Sequence, residues 1–179
     1  MVMPDKWIRE EAHKGMIRPF FEGNIRPHTM SYGLSSYGYD FTLAEEFRIF
    51  KGTEPLDPKD TRPSDFEDYS GTECTIAPHG FILGRTIEVF SIPRDILAIC
   101  FGKSSYARSG IVLHIPPLEP EWRGHITLMI ANLAPVPAIV YSGEGIGQAI
   151  FLSTDSPCEI SYADKKGKYQ DSSGIVHTK

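Results

Sequence analysis

Ile126-Thr127-Leu128-Met129-Ile130-Ala131-Asn132 is the stretch on which the fold turns. Alternate residues of an extended chain point to opposite faces, so Ile126, Leu128 and Ile130 share one face and Thr127, Met129 and Ala131 the other. Other short apolar stretches lie on both sides of it: Ile76, Phe81 to Leu83, Ile87 to Phe90, Ile96 to Phe101, Ile111 to Ile115, Ala138 to Tyr141 and Ile146 to Leu152. Gly, Pro and polar residues separate them, and Ser142-Gly143-Glu144-Gly145 reads as a tight turn. This texture predicts a mainly β domain, a β-sandwich or jelly-roll-like barrel. One helix is expected, Asp5 to Lys14, with Asp5 as its cap, Trp7, Ile8 and Ala12 as its apolar stripe, and Gly15 just past its end. Residues 52–71 are rich in Asp, Pro, Thr and Ser and read as a surface loop. The polar tail from Ser161, residues 161–179, reads as either disordered or folded over a ligand.

The chain has 179 residues, enough for one domain with a real core and no second one. Its formal net charge of −5 argues against a nucleic-acid polymer as partner, because phosphate neutralisation needs a basic face. A local basic pocket for one triphosphate stays compatible with that balance. No apolar run is long enough to cross a bilayer. The opening residues lack the charged-then-apolar pattern of a secretory signal, so the expected compartment is the cytoplasm. Cys74, Cys100 and Cys158 are widely spaced and form no CxxC pair, so free thiols are expected and no zinc site follows. Zinc nucleobase deaminases need a Pro-Cys-x-x-Cys turn, and Pro157-Cys158 has no second cysteine to complete one.

Two segments carry chemistry. In Gly102-Lys103-Ser104-Ser105-Tyr106-Ala107-Arg108 an apolar strand feeds into small residues whose N–H groups can face anionic oxygens, with Lys103 and Arg108 adding charge. It is not a Walker A loop, because Leu97 stands where that spacing needs its first glycine. Read alone, the segment is equally a turn and a short helix with solvated charges. In Pro117-Leu118-Glu119-Pro120-Glu121-Trp122-Arg123-Gly124-His125, Glu119 and Glu121 share a face and Trp122 offers an apolar anchor. The plainer reading is an acidic turn entering a strand.

Together these segments resemble the core of the dCTP deaminase family, within the trimeric dUTPase-like superfamily. Further strings carry the same likeness: Ser31-Tyr32-Gly33-Leu34-Ser35-Ser36-Tyr37-Gly38-Tyr39-Asp40, Ile92-Pro93-Arg94-Asp95 and Glu144-Gly145-Ile146-Gly147-Gln148. The resemblance runs from about Met3 to Ile175. It implies a homotrimer whose nucleotide sites lie between subunits, and a dCTP-, dUTP- or dTTP-like ligand with Mg²⁺ accompanying the triphosphate. It implies that Ser104 helps hold the attacking water or the base, and that Arg108 lies beside the catalytic position. Lys103 and Ser105 would lie near the phosphates, with Gln148 and His114 as further nucleotide contacts. Tyr162, Lys168 and Tyr169 would belong to a tail closing over the triphosphate. Glu119 falls where related dUTPases keep a water-activating aspartate.

At Met129 the chain departs from the pattern. Deaminases of the family place there the glutamate that takes a proton from water and returns it to the ring and the departing amine. A thioether cannot do this and packs against apolar surface instead. Pro116 replaces the usual Thr, and Ser172 stands where the family's Lys-Tyr-x-x-Gln tail would put Gln. Three functions follow from the resemblance. Zinc-free conversion of dCTP and water to dUTP and ammonia leads. A Mg²⁺-dependent pyrophosphatase of the dUTPase type, using Glu119, is the alternative, although that family's Arg-Gly-x-x-Gly-Phe-Gly tail is missing. A catalytically inactive nucleotide-binding paralogue is the third.

Overall fold

The computed structural model describes residues 1–23 and 27–177. The last two residues of the expected tail, Thr178 and Lys179, fall outside that range. Helix α1 spans Asp5–Lys14, as its spacing predicts, and buries Ile8 and Ala12. Gly15 ends it in the left-handed conformation, φ 110°, and its N–H returns to the Ala12 carbonyl. The cap differs from expectation. Pro4 occupies the N-cap with no side-chain hydrogen bond, and Asp5 is the first helical residue, its carboxylate accepting from the Lys6 N–H at 2.7 Å. Proline tolerates that edge because it has no N–H to satisfy.

Among the described residues eleven strands follow: β1 (Ile17–Arg18), β2 (Gly33–Ser35), β3 (Gly38–Phe50), β4 (Phe66–Ser70), β5 (Glu73–Ile76), β6 (Phe81–Ser91), β7 (Ile96–Gly102), β8 (Ile111–His114), β9 (Arg123–Asn132), β10 (Ala138–Tyr141) and β11 (Gly145–Ser153). A short helix, α2 (Ser104–Arg108), links β7 to β8. The main sheet runs β7-β11-β3-β6-β9-β8, with β1, β2 and β4 added at its sides; β5 and β10 form a separate ribbon. Its two ends approach each other. Ala98 and Leu118 exchange backbone hydrogen bonds of 3.1 and 2.8 Å, so the sheet nearly closes into a barrel. That closure removes most of the unpaired strand edge.

Two expectations are corrected. The separate apolar stretches Phe81 to Leu83 and Ile87 to Phe90 are one continuous strand, β6, passing through Gly84 and Arg85. The end of the expected 52–71 loop is a 3-10 turn, Pro63–Asp65, and then strand β4, which pairs with β3 from Phe66 opposite Phe50 to Ser70 opposite Glu46. The core lies inside the barrel. Tyr39, Phe41, Phe47, Phe90, Phe151, Ile82 and Leu128 are fully buried, with Phe90 edge-on to both Tyr39 and Phe41. On β9 the burial alternates residue by residue, with Ile126, Leu128 and Ile130 in the core and Thr127, Met129 and Ala131 outward, as the sequence predicts.

One carboxylic acid shares that core. Glu88 on β6 is fully buried. It accepts hydrogen bonds from the Thr42 N–H at 3.0 Å, the Thr42 hydroxyl at 3.0 Å and the Tyr39 hydroxyl at 3.2 Å. Burial outweighs these donors and pushes its pKa up from 4.5 to about 7. The folded state therefore binds the proton more tightly than the unfolded chain. This contribution to stability is complete below the ordinary glutamate range and is lost as pH rises through about 7. The shift corresponds to about 3 kcal/mol. We expect Glu88→Gln to flatten the pH dependence of the urea midpoint between about pH 5 and about pH 8, whereas the parent protein loses stability across that window.

Candidate functional site

Strand β9 builds the site because both its edges are occupied. Met129 lies opposite Leu83 on β6 and opposite His114 on β8. The outward face of the sheet here carries Leu83, His114, Thr127 and Met129. Beyond β8 the chain continues as Ile115-Pro116-Pro117, a segment that its prolines hold extended. A cavity of about 780 Å³ opens against this face. Its wall is mostly apolar, from Leu83, Phe81, Ile115, Pro116 and Trp122, and Glu119, Thr127 and His125 supply polar groups.

The tail forms the opposite wall. Gly124, at φ 146°, has no room for a Cβ, which would lie 2.7 Å from the Ser172 nitrogen. The close approach lets the His125 N–H donate to the Ser172 carbonyl at 2.9 Å and the Asp171 N–H to the Arg123 carbonyl at 2.9 Å. The Trp122 indole N–H donates to the Tyr169 carbonyl at 3.1 Å. Gln170 bridges the strand start, donating to the Glu121 carbonyl at 2.9 Å and accepting from the Arg123 N–H at 3.2 Å. Ion pairs join the same two parts: Lys165 to Glu119, Arg94 to Glu121 and Asp164, and Arg123 to Asp171. The tail is thus docked by contacts within the protein. Sequence reading passes over Asp164 and Gln170 and marks Arg94 only as part of the string Ile92 to Asp95, because their partners are far away along the chain.

The expected site residues fall into separate groups. Glu119, Tyr162 and Lys168 line the cavity, with Tyr169 and Ser172 beside them. His114 and Met129 face each other at its margin and are not part of its lining. Ser104, Ser105 and Arg108 lie exposed on α2, away from the cavity lining. Lys103 precedes that helix and is committed elsewhere. Its ammonium donates to Asp40, with both side chains 14% exposed, and to Ser31 at 3.1 Å. Gln148 donates to the other Asp40 oxygen at 2.8 Å. Asp40 is therefore the hub of a half-buried network that anchors the entrance to α2. An acid inside the Gly- and Tyr-rich string Ser31 to Asp40 is the one sequence signal for it.

Of the histidines, His125 is held between strands. Its Nδ1 lies 2.9 Å from the Thr86 carbonyl, 3.2 Å from the Glu88 carbonyl and 3.3 Å from the Arg85 guanidinium. Burial and the neighbouring Arg85 lower its pKa. His177, which has no evident partner in the sequence, is not a solvated surface position. Its ring packs on Phe66 with centroids 4.9 Å apart, and it lines the cavity. Among the described residues no three His, Cys, Asp or Glu side chains converge as a metal-ligand set.

Residues 2–154 match the family described as dCTP deaminase-like. The dCTP deaminase of Acidobacterium capsulatum is 51% identical over 177 residues, covering 98% of this chain and 97% of that protein. The dCTP deaminase of Campylobacter hominis is 53% identical over 175 residues, covering 96% and 92%. Among solved structures, the 2'-deoxycytidine 5'-triphosphate deaminase of Agrobacterium tumefaciens superposes with a TM-score of 0.64 at 16% identity, over 86% of this chain. This chain spans 48% of the length of that protein, and the likeness speaks for the fold.

Gln170 offers a test of the docked tail. Gln170→Ala removes two hydrogen bonds to the start of β9, each worth about 1 kcal/mol. Amide exchange across residues 161–176 is expected to accelerate roughly tenfold or more, with exchange in β3, β6 and β11 unchanged.

Proposed function

This chain belongs to the dCTP deaminase family, and from that premise we propose that it binds dCTP and converts it, with water, to dUTP and ammonia without zinc. The observation that carries this reading is the near-complete correspondence with relatives named dCTP deaminase, at about half identity from end to end. The cavity supports it. Its volume of about 780 Å³ lies within the range typical of small-molecule pockets. Leu83, Ile115, Pro116 and Trp122 offer an apolar and aromatic surface to a pyrimidine ring, and Glu119, Tyr162 and Lys168 offer polar contacts to the sugar and phosphates.

The working unit in this reading is a homotrimer in the cytoplasm. Two features favour that assembly. Ser104, Ser105 and Arg108 stand on α2 outside the cavity of their own chain, so a second copy would supply them. Exposed apolar residues flank α2: Phe101 at 55% precedes it, Val112 at 41% follows it on β8, and Leu133 at 62% donates its N–H to the Gly110 carbonyl just past it. Mg²⁺ would accompany the triphosphate and offset its charge, with Glu119 and Lys168 in the cavity wall facing the bound nucleotide. Ser104 then positions the water, and Arg108 stabilises charge as C4 becomes tetrahedral.

Position 129 sets the rate. A methionine there supplies no proton transfer, so turnover falls well short of a site with a carboxylate at the same place. The same residue favours a second reading, a nucleotide-binding paralogue without turnover. Incubation with dCTP and with dUTP, with and without Mg²⁺, followed by chromatography, separates these readings from a pyrophosphatase. We expect dUTP from dCTP, no monophosphate, and a kcat raised by about two to four orders of magnitude in Met129→Glu. Binding without any product would leave the paralogue, and release of pyrophosphate would leave the dUTPase-type reaction.

A further inference from the structure

We infer that His114 is the general base of this site, taking the proton-transfer role that Met129 cannot fill. The inference rests on the proposed deamination and goes beyond it by naming the group. His114 and Met129 are direct partners in the antiparallel β8–β9 ladder. Side chains so paired emerge on one face with Cβ atoms about 5 Å apart, so an imidazole at 114 reaches the space over the side chain at 129. His114 is exposed, and among the described residues it has no hydrogen-bond or ion-pair partner, so its ring nitrogens are open to a ligand or water. It directly precedes Ile115 and Pro116, which form the cavity wall, and the proline pair after it fixes where β8 ends.

The surroundings leave this role to His114. Opposite it on β9 stands Met129, which carries no charge. Helix α2 contributes exposed Arg108, and β7 contributes no charged side chain. Of the two carboxylates that line the cavity, Asp57 accepts from the Lys59 N–H at 2.8 Å in the loop before β4, and Glu119 is bound to Lys165 at 2.7 Å, where it ties down the tail; both lie outside the β8–β9 ladder. Histidine is also the side chain best suited to give and take protons near neutral pH.

The chemistry balances with one imidazole used twice. It takes a proton from water as the oxygen bonds to C4, and delivers that proton to N3. It then takes the proton of the new C4 hydroxyl and delivers it to the amine, which leaves as ammonia while the C4 carbonyl forms. No oxidant, reductant or additional group is consumed.

The test measures dCTP turnover against pH for the parent, His114→Asn, Met129→Glu and the double variant. In His114→Asn we expect kcat to fall by about a hundredfold or more, with the loss in kcat rather than KM. Added imidazole should partly rescue His114→Asn, and the pH profile of the parent should change in that variant. Met129→Glu should alter the profile again and make His114→Asn tolerable in the double variant. An unchanged kcat and pH profile in His114→Asn would overturn this assignment and leave the deamination reading standing. A parent that binds dCTP by calorimetry and never forms dUTP would overturn both.

Discussion

Strand β9 is pinned on both edges, and this constraint governs the rest of the molecule. Between β6 and β8 it has no freedom of register. A slip of one residue would expel Ile126, Leu128 and Ile130 from the core and bury Thr127, Met129 and Ala131 in their place. The cost of exposing three large aliphatic side chains, each worth about 2 kcal/mol, forbids it. Because the core fixes the inner face, the outer face is fixed too, and so is the pairing of residue 129 with 114. The same strand starts at Gly124, where the missing side chain admits the tail. Core, cavity and tail are therefore three uses of one strand.

How far the sequence discloses this depends on the range of the interaction. Strands whose apolar residues run without interruption, such as β7, β10 and β11, are legible within a residue or two. So is α1, because its stripe and its terminal glycine are local features. Strand β6 reads as two pieces because Gly84 and Arg85 interrupt its apolar run. Only its pairing with β3 and β9, irregular on both sides near Arg85, shows that the two pieces are one strand. Strand β4 hides in a polar stretch because it is a surface strand whose residues, apart from Phe66, are mostly exposed. The site divides in the same way. The short motifs around Ser104 and Glu119 stand out along the chain. The commitment of Lys103 to Asp40 and the grip of Gln170 on β9 involve distant partners, and they emerge only when the chain is folded.

The arrangement also places binding and chemistry on different supports. In the proposed reading the apolar wall and the tail accept the nucleotide, and the side chain at 129 lies outside that lining. The proposed proton transfer depends instead on the ladder pair at the margin. A family scaffold can thus keep its ligand while one position on a strand decides how fast, or whether, the ligand is consumed. Fold and affinity are spread over many residues, whereas reactivity is concentrated in very few.

The adhesion of the tail has a further consequence. It combines two kinds of contact with different physical responses. The backbone bonds around Gly124 and the indole bond of Trp122 are indifferent to dissolved ions. The pairs formed by Arg94, Arg123 and Lys165 are exposed, and charges of that kind are screened over about 8 Å at physiological ionic strength. Ionic strength therefore acts on the covering of the cavity, whereas the barrel beneath it is held chiefly by its buried core and backbone ladders. In dilute buffer the tail is clamped, and in concentrated salt it is held by its backbone seam and the uncharged bonds of Trp122 and Gln170, so access to the cavity becomes a property of the medium as well as of the chain.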